Sequence, residues 1–216
     1  MRFRDRAEAG RELAGLLSDL RDGGDLADPV VLALPRGGIA VAEPVARALA
    51  APLDVLVVRK IGAPHHEEFA VGALVDDDPP FLDAGTLDML GLTEDALAPA
   101  VERERRELHR RERVYRGDSP PPDLAGRTVI VVDDGLATGA TAHVALRHVR
   151  HRDPARLVLA VPVGAPDAVH RLSAEADLVV CPHRPAGFSA VGQWYDDFGQ
   201  LTDADVLDLL HASHGH

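Results

Sequence analysis

The sequence predicts an α/β fold in which a roughly five-stranded parallel sheet is flanked by helices. Three observations carry this expectation. Five short apolar runs, at 30–34, 55–58, 129–132, 157–161 and 178–180, are rich in Val, Leu and Ile and lack the alternation of a half-exposed strand, so they read as strands buried on both faces. Helical stretches separate most of them, as parallel crossovers require. Two of the runs end in small-residue turns that open a helix, the edge of such a sheet where ligands bind.

In chain order, Asp5 is placed to cap a helix over 6–20, with Leu13, Leu16, Leu17 and Leu20 on one face, and Gly23-Gly24 ends it. A packing role is expected for it. The run 30–34 passes through Pro35-Arg36-Gly37-Gly38 into a helix over 39–50, and the run 55–58 ends in Arg59-Lys60. Residues 61–70 mix breakers, His65, His66 and Glu68 without either period and read as a mobile loop. Residues 71–75 and 81–82 suggest a hairpin around Asp76-Asp77-Asp78-Pro79-Pro80. From 93 to 116 the chain is helical, with Glu102/Arg106, Glu107/Arg111 and Glu112/Arg116 as i,i+4 pairs. Its seven arginines against four glutamates between 102 and 116 suit a solvated face, an active-site rim or a dimer contact. After a proline-rich linker at 118–122 come the run 129–132, helices over 140–151 and 166–174 alternating with strands, and a closing helix over 203–210.

With 216 residues, 46% of them hydrophobic, the chain suits a single domain over 1–216. Its formal charge of −12 argues against nucleic acid as a partner. The single Cys181 excludes an intrachain disulfide, no apolar run reaches membrane-spanning length, and the N-terminus lacks a signal peptide's apolar core. A cytoplasmic protein without membrane contacts is expected, with a homodimer as a candidate assembly.

The stretch 129–141 carries the chemistry. Its buried strand ends in Asp133-Asp134, followed by Gly135, Leu136, Ala137, Thr138, Gly139, Ala140 and Thr141, small residues that let backbone N–H groups and a helix N-terminus approach a phosphate. Two carboxylates would repel a bare phosphate. They make sense as acceptors for a ribose diol, with a divalent cation offsetting the charge, so a sugar 5-phosphate is the implied ligand. The turn lacks the lysine of a Walker A loop and the third glycine of a dinucleotide fingerprint; a plain strand-to-helix turn with capping acids is the remaining alternative.

This stretch resembles the phosphoribosyl-pyrophosphate (PRPP) signature of the type I phosphoribosyltransferases. Its Asp-Asp-Gly-Leu-Ala-Thr-Gly-Ala-Thr form resembles a bacterial subgroup with unassigned substrate, and the similarity runs from Phe3-Arg4-Asp5-Arg6 to Trp194-Tyr195-Asp196-Asp197-Phe198. The resemblance implies the type I phosphoribosyltransferase fold with a small hood, its elements drawn from the N-terminal segment and about 183–202. It also implies transfer of a 5-phosphoribosyl group from PRPP to a nitrogen acceptor, such as a nucleobase, with release of pyrophosphate. Asp133, Asp134, Lys60 and Arg36 are then the catalytic candidates. Arg36, Gly37, Gly38 and Arg59 join Lys60 and residues 133–141 in holding PRPP. Lys60, the only lysine among 23 basic side chains, offers the compact charge that suits close approach to pyrophosphate. Magnesium is the implied cofactor, held mostly through ligand oxygens or water near Asp133, Asp134 and Asp197.

Four of the eight aromatic residues fall within 188–198. Either they close one end of a sheet, or they offer flat faces to a heterocycle. Trp194 or Tyr195 is the expected stacking residue, Asp197 the expected base contact, and Phe198 the expected core residue; Val163 and Gly164 are further candidates for the base pocket. A PRPP or nucleotide sensor without turnover, and a ribose-phosphate phosphorylase or hydrolase, are the alternative functions.

Overall fold

In the computed structural model, which describes residues 2–64 and 66–214, the chain runs α1 (Arg6–Asp22), β1 (Pro29–Ala33), α2 (Gly37–Leu49), β2 (Leu53–Val55), β3 (Val58–Ala63), β4 (His66–Val75), β5 (Phe81–Leu82), α3 (Ala84–Leu90) and α4 (Glu94–Arg116). It continues through β6 (Thr128–Val132), α5 (Ala140–Arg150), β7 (Arg156–Ala160), α6 (Pro166–Leu172), β8 (Leu178–Val180), a 3-10 turn (Val191–Trp194) and α7 (Asp203–His214). The five expected strands form one parallel sheet in the order β2-β1-β6-β7-β8. That leaves β6 in the middle.

Period-two geometry divides each central strand between two cores. Val31, Ala33, Ile130 and Val132 pack under α1, α2 and α7, while Val30, Leu32, Val129 and Val131 pack under α5 and α6. All five residues of β6 are buried, which explains why the run shows no polar alternation. On α1, Asp5 accepts the amide of Glu8 at 2.7 Å, as a helix cap should, and Leu13 and Leu17 are buried. Leu16, expected on the same face, is exposed instead.

The stretch 55–71 departs from expectation. The parallel strand stops at Val55; after the amide of Leu56 donates to Ala33 the chain leaves the sheet, and Arg59-Lys60 belong to β3. Rather than a loop, β3 and β4 form an antiparallel pair that β5 extends to three strands. Register shifts around Gly62 erase the period that would have signalled it. His65 and the side chains of Glu67 and Glu68 lie outside the described residues. The hairpin expected around 76–80 is present.

The 23-residue α4 spends its arginines internally. Arg59 meets Glu104 at 2.6 Å, Arg105 donates to the carbonyls of Asp76 and Asp78, and Arg116 binds Asp54 at 2.8 Å and the carbonyl of Val55 at 2.6 Å. Two of the seven arginines, Arg105 and Arg116, thus fasten the 76–78 turn and β2, and Glu104 holds Arg59 of β3, while Arg106, Arg110 and Arg111 pair with glutamates of the helix itself. All three i,i+4 pairs are formed.

The packing of α1 on α2 is close enough to test. A Cβ on Gly10 would lie 2.5 Å from the carbonyl oxygen of Val41, whereas one on Gly15 would meet nothing within 4 Å. Gly10→Ala should cost about 1–3 kcal/mol by forcing the helices apart, and Gly15→Ala should add about 0.5–1 kcal/mol of helix stability. For a chain of this size about 2–4 °C of melting temperature accompanies each kcal/mol. Equal melting curves for the two variants would contradict this packing.

Candidate active site

β6 delivers two carboxylates to the carboxyl edge of the sheet. Asp133 directly follows β6, its amide reaching Ala160 O at 3.4 Å, and its Oδ1 accepts the amide of Asp134 at 2.8 Å. Asp134 is held from two sides: Arg6 Nε donates to Oδ2 at 2.8 Å, and the Tyr195 hydroxyl donates to the backbone carbonyl at 2.6 Å. The turn after β1 closes against the pair. A Cβ on Gly37 would stand 2.0 Å from Asp134 Oδ2, and one on Gly38 would stand 2.7 Å from Val132 O. Only glycine fits at either position. The Pro35–Arg36 peptide bond in this turn is cis.

Burial pushes the Asp133 carboxyl well above its ordinary range and the neighbouring Asp134 charge adds to the rise, against the pull of the Asp134 amide, Arg6 and Lys60. Asp134 is also raised by burial, with Arg6 opposing. Lys60 is exposed on β3, and its charge reaches Asp133. Arg59, on the opposite face of the strand, is committed to Glu104 and turns away from the phosphate-binding role expected of it. Arg36 reaches Asp203 of α7 at 4.0 Å.

Beyond the acids, residues 135–141 make the expected turn into α5. Gly139 has φ +73° at the helix cap, and among the described residues the amides of Ala137, Thr138 and Gly139 have no protein acceptor. Arg171 of α6 braces the loop by donating to Thr138 O at 2.9 Å. Within the loop, the Leu136 side chain is buried and its backbone pairs with Val163 and Ala165, extending the ladder past β7. Ala140 and Thr141 open α5.

The 188–198 segment folds back over the carboxylate end and pairs with the N-terminal residues. Phe3 N donates to Trp194 O, and the amides of Asp196 and Asp197 donate to Phe3 O and Arg4 O, each at 2.8 Å. Tyr195 is not a stacking platform. It is 1% exposed, with Phe3 and Phe198 against its ring and its hydroxyl spent on Asp134. Phe198, expected in the core, is partly exposed with the Arg6 guanidinium 3.9 Å from its centroid. Trp194 stacks on Phe188 and lines a cleft of about 260 Å³ with Phe3, Val163, His183 and Arg184. Its Nε1 is buried without an acceptor among the described residues. Gly164 instead bridges to Leu136. Asp197 uses its carboxylate to accept Gly199 N at 3.1 Å.

Sequence reasoning missed Arg6. One signal existed: a cation in the first turn of a helix opposes the helix dipole, so something else must hold it there.

The model of the phosphoribosyl transferase domain matches residues 3–190. The chain belongs to this family. Curated relatives from two Mycobacterium tuberculosis strains, CDC 1551 / Oshkosh and H37Rv, whose names assign them provisionally to the phosphoribosyl transferases, are 45% identical over 213 residues, which is 98% of this chain and 47% of theirs. The domain thus spans about half the length of those relatives. The crystal structure of TT1426 from Thermus thermophilus is 46% identical and superposes with a TM-score of 0.81, covering 97% of this chain and 98% of that one. No described helix is long and apolar enough to cross a membrane.

The raised Asp133 carboxyl makes a signed prediction. The folded domain binds that proton more tightly than the unfolded chain, so its contribution to stability falls as pH rises from the ordinary carboxylate value of 3.8 through the raised one. Asp133→Asn keeps an oxygen for the Asp134 amide and removes the buried charge. The ligand-free variant should melt above wild type at about pH 8, and the gap should close towards about pH 4. A melting temperature below wild type at the higher pH would contradict this electrostatic account.

Proposed function

We propose that the domain transfers the 5-phosphoribosyl group of PRPP to a nitrogen heterocycle and releases pyrophosphate. One observation carries the reading: a buried acidic pair lies between a turn of unpaired amides at the start of α5 and a glycine turn that a single Cβ would close. Unpaired amides at a helix N-terminus suit the 5-phosphate. The carboxylates suit the ribose hydroxyls, and Arg36, Gly37, Gly38 and Lys60 suit pyrophosphate. Among the described residues no three His, Cys, Asp or Glu side chains converge as a metal cage. That fits magnesium, which is commonly held by one or two carboxylates together with substrate phosphates. Asp133 and Asp134 would hold it, and when bound it would neutralise pyrophosphate oxygens.

The reaction breaks the anomeric C–O bond, and the electron pair leaves with pyrophosphate. Positive character develops on the ribose, which the acidic pair tolerates, while Lys60 and Arg36 stabilise the leaving group. The acceptor's nitrogen lone pair then forms the new bond to the anomeric carbon. The cleft beside Trp194 is the favoured acceptor site, because the indole, stacked on Phe188, offers a flat face to a heterocycle there.

Incubation with PRPP, magnesium and a panel of nucleobases should release pyrophosphate for at least one acceptor and lose that activity on chelation. Lys60→Ala and Asp134→Asn should each weaken PRPP binding or turnover about tenfold or more, since each removes a charge-assisted contact. Binding without release would identify a sensor, and release without an acceptor a hydrolase.

A further inference from the structure

Arg6 joins parts of the site that lie far apart in the chain. Its Nε donates to Asp134 Oδ2 at 2.8 Å, its Nη1 donates to Gly199 O at 2.9 Å, and its guanidinium lies 3.9 Å from the Phe198 ring centroid. A Cβ on Gly37 would come within 3.2 Å of the same Nε, so the guanidinium also abuts the glycine turn. The paired side chains are only 11% and 14% exposed. Bonds in divergent directions leave this guanidinium a single orientation, unlike an ordinary surface pair.

The partition of Asp134's oxygens gives the contact a purpose. Among the described residues Arg6 is the side chain that hydrogen-bonds the Asp134 carboxylate, and it does so at Oδ2. We propose that Arg6 is a positioning residue for PRPP: it holds one oxygen of Asp134, leaves the other to accept a ribose hydroxyl, and brings the 198–199 segment to the same carboxylate. Arg6 acts through Asp134 and need not touch the substrate. The inference rests on the PRPP reading given above.

Calorimetric titration with magnesium and PRPP tests it on wild type, Arg6→Ala, Arg6→Lys, Asp134→Asn and the double variant Arg6→Ala/Asp134→Asn. Arg4→Ala serves as control, because Arg4 pairs with Glu8 at the surface. Arg6→Ala should weaken binding at least about tenfold, and Arg6→Lys, which keeps a cation beside Asp134, should recover part of that loss. The double variant should bind no more weakly than Asp134→Asn alone, because both changes remove one arrangement. If Arg6→Ala fails to fold, Arg6→Lys and Arg6→Gln carry the comparison, with Lys expected to bind more tightly. Wild-type affinity in Arg6→Ala, losses that simply add in the double variant, or no advantage of Lys over Gln overturns the inference and leaves the PRPP reading standing. A wild-type domain that binds no PRPP overturns that reading and the inference with it.

Discussion

Two like charges stand side by side where the most buried strand of the sheet comes to its end, and much of the surrounding structure answers that repulsion. Neither carboxylate has the solvation it would have in water, and the Asp134 charge raises the cost of ionising Asp133. The offsets arrive from separate parts of the chain: an amide from Asp134 itself, a guanidinium from the first turn of α1, and the field of an ammonium on β3. The acids also need room. Gly37 yields it to Asp134, Gly38 to the end of β6, and Gly135 to Val191, whose Cγ1 would lie 2.7 Å from an added Cβ. The small residues of the neighbouring turns are thus consequences of where the carboxylates sit.

The second organising element is α4, whose sequence looks like a solvated helix and whose contacts are largely internal. Glu104 and Glu107 gather Arg59, Arg103, Arg110 and Arg111 into a ladder of alternating charge. Arg110 and Arg111 hold the Glu107 carboxyl down at about 2, so Glu107 stays ionised at any ordinary pH. Period two in β3 then decides the division of labour. With Arg59 turned to α4, its neighbour Lys60 faces away from the helix and acts on Asp133.

The parts that were legible in the sequence are those whose structure is dictated locally. Burial on both faces leaves a continuous apolar run, so four of the main-sheet strands were visible where they lie and β2 was placed about two residues too late, and the cap chemistry of Asp5 placed α1. The acidic pair and its loop were visible because charges and small residues at the end of such a run have few structural uses. The β3–β4 pair was hidden by irregular register at Gly62. Tyr195 and Phe198 exchanged their expected places for a different reason. Clustering shows that aromatics share a neighbourhood, but which of them is inside depends on Phe3 and on the carbonyl of Asp134, both distant in sequence.

The same logic separates Arg36, expected beside pyrophosphate, from Arg59, expected among the residues that hold PRPP. Arg59 has a carboxylate of its own at 2.6 Å. Arg36 has only a share of Asp203, which already accepts the Tyr115 hydroxyl at 2.6 Å and lies 3.5 Å from Arg110, and its own separation is 4.0 Å. A pair this open and this far apart contributes about 0–1 kcal/mol, little enough for a multiply charged phosphate to outcompete. Asp203 therefore parks the guanidinium at the glycine turn without trapping it, whereas an intimate partner such as Glu104 would have removed Arg36 from the site altogether.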